Sequence, residues 1–70
     1  MTLGERIKQA RKVAGISQEE LAQKIGTRQS QVTRWETDQA EPRISFLKKI
    51  TETTGVPLSA LMGENDNHEQ

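Results

Sequence analysis

The sequence contains no cysteine, and its only aromatic residues are Trp35 and Phe46. The lack of cysteine excludes disulfide bonds and thiolate metal sites, which fits a reducing compartment. No apolar run approaches the roughly 20 residues of a membrane-spanning helix. Residues 1–5 have neither the basic leader nor the apolar segment of an export signal. We therefore expect a soluble protein of the cytoplasm that has no membrane partner.

Charge is divided unevenly along a chain whose formal net charge is zero. Residues 1–50 hold all ten lysines and arginines and six acidic residues, so they carry +4, whereas residues 51–70 hold four acidic residues and carry −4. The molecule is therefore polarised rather than neutral. Because neutralisation of phosphates supplies much of a protein's affinity for DNA, we expect one copy to bind DNA weakly and two copies to act together.

Helical signals occur along the whole chain, and no segment alternates apolar and polar residues as a strand would. A capping box of Thr2 and Glu5 begins helix 1. Helix 4 should run from about Ile44 to Thr54, and a short fifth helix should lie within residues 56–62. The sequence thus predicts an all-α, compact five-helix domain over residues 1–63. A disordered acidic and polar tail, or the start of a linker, should follow at residues 64–70.

Helices 2 and 3 are predicted to be joined by a single tight turn. Ser17 and Glu20 form a capping box that begins helix 2, and Ile16 can pack onto Leu21 across it. Gly26 supplies the left-handed residue that closes helix 2, and we expect Thr27 to cap helix 3 immediately afterwards. Two helices joined so closely must cross at a steep angle, which is the helix-turn-helix unit.

Helix 3 leaves most of its surface polar, because Val32 and Trp35 are the residues it is expected to bury. Glutamine carries a donor and an acceptor in one plane, which matches the N6 and N7 edge of adenine. The pattern therefore indicates a helix that is offered to DNA. The alternative interpretation is an ordinary solvated surface helix. The residues expected on the outside are Arg28, Gln29, Ser30, Gln31, Thr33 and Arg34.

The predicted core uses apolar positions at helical spacing, with Trp35 as its largest member. Phe46 lies beside this set, and the pattern leaves open whether it fills a corner of the core or is partly exposed. Gly4 in the first turn of helix 1 costs up to about 1 kcal/mol relative to alanine, so we expect that end to fray. The full predicted set is Leu3, Ile7, Ala10, Ala14, Ile16, Leu21, Ala22, Ile25, Val32, Trp35, Ile44, Leu47, Ile50, Val56 and Leu61.

These features together resemble a known family, the lambda-repressor-like helix-turn-helix domains of the Cro, phage-repressor and xenobiotic-response-element type. The resemblance extends over residues 3–62. It implies the compact five-helix fold of these domains, with the helix-turn-helix at helices 2 and 3. It is most specific in residues 17–19 and 26–32. The other matching positions are Leu21, Ala22, Trp35, Glu36, Glu41, Pro42, Gly55 and Val56.

The resemblance implies a role for each polar residue around helix 3. Gln29 is expected to read an adenine in the major groove, and Ser30 a neighbouring base. Gln18 is expected to brace Gln29 and to touch a phosphate at the positive end of helix 2. Variable positions for reading bases or contacting the backbone fall on Arg28, Thr33 and Arg34. The further phosphate candidates are Gln23, Gln39 and Arg43.

The sequence departs from the family pattern after helix 3. Asp38 replaces the usual glycine, and Arg43 stands where a capping serine or threonine is common, which leaves helix 4 less well capped. Arg11 and Glu36 are similar in position to a partly buried ion pair of phage repressors that joins helices 1 and 3. The alternative is that they are two unrelated surface charges. Ion pairs at a protein surface contribute only about 0 to 1 kcal/mol to stability, so these two residues need not form one.

The favoured function is that of a sequence-specific regulator of transcription, with repression as the expected outcome. We expect it to bind a partly palindromic double-stranded DNA operator as a homodimer. Leu58, Leu61 and Met62 are the predicted dimer contacts, or they close the monomer core. The alternative function is a protein-interaction module, such as an antitoxin or coactivator domain. We expect no enzyme, metal, cofactor or small-molecule ligand, because the single histidine, His68, lies in the predicted tail.

Overall fold

A computed structural model describes residues 1–63 of the chain, and the predicted tail at 64–70 lies outside the described residues. Five α-helices follow one another along this part of the chain, as predicted. None of the helices in residues 1–63 has the length and apolar character needed to cross a membrane. The helices are α1 (Leu3–Ala14), α2 (Gln18–Ile25), α3 (Gln29–Glu36), α4 (Ile44–Thr54) and α5 (Leu58–Leu61).

Both predicted capping boxes are present. The Glu5 backbone N–H donates to Thr2 Oγ1 over 3.1 Å, and the Thr2 backbone N–H donates to Glu5 Oε1 over 2.9 Å. The same reciprocal pair joins Glu20 to Ser17, with distances of 3.0 and 2.8 Å. These boxes satisfy N–H groups that the first turn of each helix leaves without a partner, so α1 and α2 begin where the sequence predicts.

The turn between α2 and α3 differs from the prediction in one residue. Gly26 has a φ of 83°, in the left-handed region, and both its N–H and that of Thr27 donate to Ala22 O over 2.9 Å. Thr27 is therefore part of the turn that ends α2. Arg28 is the N-cap of α3, and it makes no side-chain capping bond within the described residues. The prediction that Thr27 caps helix 3 is thus wrong.

The core lies where α1, α2 and α3 meet α4 and α5. α3 packs against α1 and α2, α4 packs against the same two helices, and α5 closes one side against α1 and α4. Leu3, Ile16, Phe46 and Val56 are partly buried against the core. Its fully enclosed members are Ile7, Ala10, Leu21, Ala22, Ile25, Val32, Trp35, Leu47, Ile50 and Leu61.

Ile44, predicted to be buried, is 55% exposed. Phe46 packs its ring against Trp35 instead, with 5.3 Å between ring centroids and 48° between planes. The buried face of α4 therefore runs through Phe46, Leu47 and Ile50. At 3.6 residues per turn, Ile44 lies roughly 110° from the middle of that face. The contact between Phe46 and Trp35 thus turns the first residue of α4 away from the core.

Gly4 is buried where the start of α1 meets the end of α3. A Cβ built on Gly4 would lie 2.9 Å from Glu36 O and closer still to Trp35 O. The Gly4 backbone N–H donates to Asp38 Oδ1 over 3.0 Å, which ties this end of the helix to the loop after α3. These contacts oppose the expected fraying at Gly4, because the glycine permits a close approach that holds the helix end.

Candidate nucleic-acid interface

One side of α3 is buried and the other faces solvent. Val32, Trp35 and Glu36 are its buried residues. Gln29, Ser30 and Arg34 are exposed, and so is Arg28 at the N-cap. We call these four exposed residues the polar face of α3. The structure thus brings four of the five predicted base-reading residues to the surface of one short helix.

Thr33, the fifth predicted base-reading residue, is directed towards α2. Its hydroxyl lies 2.8 Å from Gln18 Oε1 and 3.1 Å from the Gln29 carbonyl oxygen, and the residue is half-buried. This hydroxyl is therefore engaged in the contact between α2 and α3, and base reading by Thr33 stays a prediction.

Gln18 lies at the start of α2 and connects three residues of α3. Its Nε2 donates to Glu36 Oε1 over 2.9 Å, and its Oε1 accepts from the Thr33 hydroxyl. Gln29 Nε2 lies 3.5 Å from the same Oε1 atom. The brace between Gln18 and Gln29 that the resemblance implies is thus present as a long contact, and Gln18 is held more closely by Glu36 and Thr33.

Arg11 and Glu36 form the predicted ion pair between α1 and α3. Arg11 Nε lies 2.7 Å from Glu36 Oε2, and Arg11 Nη2 lies 3.1 Å from Glu36 Oε1. Arg11 Nη1 also donates to Ile16 O over 3.0 Å. The two residues are only 9% and 6% exposed, so the interpretation as unrelated surface charges is wrong. Burial makes the pair sensitive to loss of either partner, since an unpaired buried charge is costly.

The predicted phosphate contacts other than Gln18 are exposed. Gln23 and Gln39 face solvent, and Arg43 is the exposed N-cap of α4. Arg43 lines a cavity beside α3 together with Gln31 and Trp35. This cavity places the uncapped start of α4 next to α3, where free N–H groups of a helix end favour an anion. The sequence gives no signal that Gln31 and Arg43 line one cavity, since this depends on how the start of α4 lies beside α3.

The three predicted dimer contacts differ in exposure. Met62 is 42% exposed, Leu58 is half-buried against the core, and Leu61 is 1% exposed. Leu61 is therefore a member of the monomer core and cannot contact a partner while the domain is folded. Met62 and the open part of Leu58 remain available.

No three histidine, cysteine, aspartate or glutamate side chains lie close enough to hold a metal ion within residues 1–63.

Asp38 makes tertiary contacts that the sequence did not predict. It accepts hydrogen bonds from the Gly4 backbone N–H and from the Thr2 hydroxyl. Its partners lie more than 30 positions earlier in the chain, so no local pattern indicates them.

Several known proteins are similar to this chain over nearly all of its length. The regulator SinR of Bacillus licheniformis, described as an HTH-type transcriptional regulator, is 40% identical over 68 residues, which are 96% of this chain and 61% of SinR. The immunity repressor protein of Bacillus phage phi105 is 36% identical, over 91% of this chain and 44% of the repressor. The regulator ImmR of Bacillus subtilis, also described as HTH-type, is 32% identical, over 94% of this chain and 52% of ImmR. The chain thus spans less than two thirds of the length of these relatives.

A solved structure has the same fold. The P22 c2 repressor, crystallised in complex with the synthetic operator 9T, superposes with a TM-score of 0.82 and 26% sequence identity. The match covers 89% of this chain and 94% of that chain. The helix-turn-helix family itself matches residues 7–61, from within α1 to the end of α5. The chain therefore belongs to the helix-turn-helix family of the Cro and phage-repressor type.

Proposed function

We propose that this chain is a DNA-binding domain that represses transcription by reading double-stranded operator DNA in the major groove with α3. The observation that carries the proposal is the polar face of α3 on a helix whose opposite side is anchored by Trp35 and the buried Glu36. Anchoring of this kind presents side chains in a defined orientation, which direct reading of base edges requires. The names of the relatives and the operator bound to the P22 repressor support the same function.

Gln29 is the proposed reader of adenine. Its side chain is exposed near the start of α3, and recognition helices contact base edges mainly with their N-terminal residues. A glutamine can accept from adenine N6 and donate to N7 at once. Ser30 contacts a neighbouring base, and Arg28 and Arg34 contact guanine edges or the flanking phosphates.

Phosphate contacts fix the domain on the duplex in this proposal. Gln18 is the first residue of α2, where the positive end of the helix favours an anion. One N–H of its amide donates to Glu36, and the second donates to a phosphate oxygen. Gln23, Gln39 and Arg43 supply further contacts from exposed positions. Such contacts orient the protein and carry no sequence information themselves.

Two copies bind one partly palindromic operator, with the two α3 helices in successive major grooves about 34 Å apart. Pairing offsets the weak binding expected of a chain with zero net charge, because the second copy binds at a high effective concentration. Met62 and the open part of Leu58 form the contact between the copies. Residues 1–63 are the DNA-binding domain, and residues 64–70 are its tail or the start of a linker. The protein works in the cytoplasm as a regulator and not as an enzyme.

Selection of bound sequences from random duplex DNA tests the proposal. The wild-type chain should enrich an A·T pair at a fixed position, and Gln29→Ala should lose about 1 to 3 kcal/mol of discrimination there. Gln9→Ala, at an exposed glutamine of α1, is the matched control and should select the same operator as the wild type. Identical selections by the wild type and Gln29→Ala would show that α3 does not read bases through this residue.

Salt dependence separates DNA binding from the alternative of a protein-interaction module. Binding to the selected operator should weaken steeply as salt rises, because each phosphate contact releases counterions. Arg34→Ala should reduce the slope of log affinity against log salt by about one if Arg34 contacts a phosphate. Under the alternative, the chain would select no operator, and it would bind a protein partner through mainly apolar contacts that depend little on salt.

A further inference from the structure

The orientation of the Gln18 amide is determined by Glu36. A carboxylate can only accept hydrogen bonds, so the atom of Gln18 that lies 2.9 Å from Glu36 Oε1 must be the Nε2 donor. Glu36 is itself held by two N–H groups of Arg11 and is only 6% exposed. Rotation of the Gln18 amide by 180° would place its oxygen against a buried negative charge. The Oε1 atom of Gln18 is therefore fixed towards Thr33 and Gln29, which precede Glu36 in α3.

Thr33 meets this fixed oxygen with its hydroxyl. The hydroxyl has one proton and two acceptors within reach, Gln18 Oε1 at 2.8 Å and the Gln29 carbonyl oxygen at 3.1 Å. Because the hydroxyl can donate to only one of them at a time, the shorter contact indicates donation to Gln18. The bond is internal to the domain, since both residues are half-buried. Thr33 therefore holds the end of Gln18 that faces the polar face of α3.

Gln29 is oriented by the same oxygen atom. Gln18 Oε1 has two lone pairs, and Gln29 Nε2 lies 3.5 Å away from it while Thr33 takes the closer position. An amide that directs one N–H of Nε2 towards Gln18 keeps its other N–H and its Oε1 for the groove. That remaining pair of one donor and one acceptor is complementary to adenine N7 and N6.

We propose that Thr33 is a positioning residue that sets the base preference of Gln29 through Gln18, without contacting a base. The proposal rests on the proposed function, because it names how the reading residue of α3 is oriented. Glu36, which is held by Arg11, fixes the Nε2 atom of Gln18. Thr33 fixes the Oε1 atom of Gln18, next to Gln29. Removal of the Thr33 hydroxyl leaves Gln29 Nε2 as the donor to Gln18 Oε1 among the described residues. Glu36 still holds Gln18 Nε2, but the Oε1 end of Gln18 is free to shift, and the Gln29 amide loses its fixed orientation.

Three substitutions in α3 test this role in the full chain. Thr33→Val removes the hydroxyl and keeps the branched Cβ, so the helix backbone is little affected. Thr33→Ser keeps a hydroxyl at the same place and is the rescue variant. Thr37→Val is the matched control, because the Thr37 hydroxyl donates to Thr33 O over 2.9 Å, a backbone acceptor of the same helix.

The first measurement is the affinity for the selected operator and for operators changed at each single base pair. Thr33→Val should lower discrimination by about tenfold at the base pair that Gln29→Ala identifies, with little change at the others. Thr33→Ser and Thr37→Val should keep the wild-type preference there. A loss at a different base pair would mean that Thr33 reads a base directly, and a uniform loss at all positions would mean that it only supports the helix. Either result overturns the proposal.

The second measurement needs no DNA. The side-chain amide resonances of Gln18 and Gln29 in the free protein should shift in Thr33→Val and stay in place in Thr37→Val. Unchanged amide resonances in Thr33→Val overturn the proposal even if affinity falls. A wild-type chain with no base preference at all is a failure of the proposed function, whereas normal preference in Thr33→Val is a failure of this inference alone.

Discussion

Asp38 Oδ1 accepts a hydrogen bond of 3.0 Å from the backbone N–H of Gly4, so a residue just after α3 caps the start of α1. Asp38 Oδ2 also accepts from the Thr2 hydroxyl over 2.7 Å. The carboxylate lies at the positive end of the α1 dipole, where a negative charge is favourable. The loop after α3 is thereby connected to the start of α1.

Replacement of Asp38 should show that this cap outweighs a preference for glycine at a left-handed position. Asp38 has a φ of 62°, which glycine adopts without strain. Asp38→Ala should destabilise the domain by about 1 to 2 kcal/mol through loss of the cap. Asp38→Gly should lose less stability than Asp38→Ala. Asp38→Asn should lose the least, because asparagine keeps a side-chain oxygen that can accept the hydrogen bond. Urea unfolding followed by circular dichroism measures all three, and a more stable Asp38→Gly than wild type would contradict the cap.

Gly4→Ala should destabilise the domain even though alanine is the better helix former. Helix propensity favours alanine by up to about 1 kcal/mol. The added Cβ would meet Glu36 O at 2.9 Å and Trp35 O at closer range, and overpacking of this kind costs about 1 to 3 kcal/mol. Lys8→Ala, at an exposed position of the same helix, is the control and should change the melting temperature little. An increase in melting temperature for Gly4→Ala would show that α1 and α3 are not in this close contact.

The buried pair of Arg11 and Glu36 should be strongly coupled. Arg11→Met leaves the Glu36 carboxylate buried without its cation, and such losses cost about 3 to 5 kcal/mol. The double variant Arg11→Met with Glu36→Leu should be less destabilised than the sum of the single variants, because no unpaired charge remains.

Lys48 and Glu52 provide the control for this double-mutant cycle. They are exposed and four residues apart on α4, so their coupling should be about 0.5 kcal/mol or less. The coupling energy of each cycle is obtained from the free energies of unfolding of its variants in urea. Equal coupling for the buried and the exposed residues would contradict the burial of Arg11 and Glu36.

Leu61 and Met62 should respond differently to substitution although they are adjacent. Leu61→Ala should cost about 2 to 5 kcal/mol, because the side chain is 1% exposed in the core. Met62→Glu should leave the melting temperature nearly unchanged, because Met62 is 42% exposed. If Met62 lies between two copies, the new charge should also abolish cooperative binding of the second copy to the operator. Sedimentation of the complex measures the stoichiometry, and two cooperative copies of Met62→Glu would exclude this contact.

Local signals in the sequence were sufficient to predict the five helices of residues 1–63 and their order. The capping boxes at Thr2 and Ser17 each join residues three apart, and the resulting helix starts are confirmed. The spacing of Val32 and Trp35 correctly predicted the polar face of α3. The resemblance to phage repressors correctly implied the pair of Arg11 and Glu36. The role of each exposed residue on DNA stays a prediction.

Errors arose where the outcome depended on packing between helices. Thr27 has the chemistry of an N-cap, but its N–H closes α2 and leaves that position to Arg28. Thr33 looked like an outward residue because its neighbours along the chain are polar, and only the approach of α2 directs its hydroxyl to Gln18.

The order of residues by itself determined the number of helices, their approximate limits and most of the buried set, because caps, glycine turns and helical spacing act over three to five positions. Tertiary structure decided that Ile44 faces outward, that Gly4 permits a close approach, and that Asp38 caps a distant helix. It also decided which atoms hold Gln18. These contacts join residues 11 to 36 positions apart. Only the packing of whole helices brings such residues within the few ångströms over which hydrogen bonds and van der Waals contacts act.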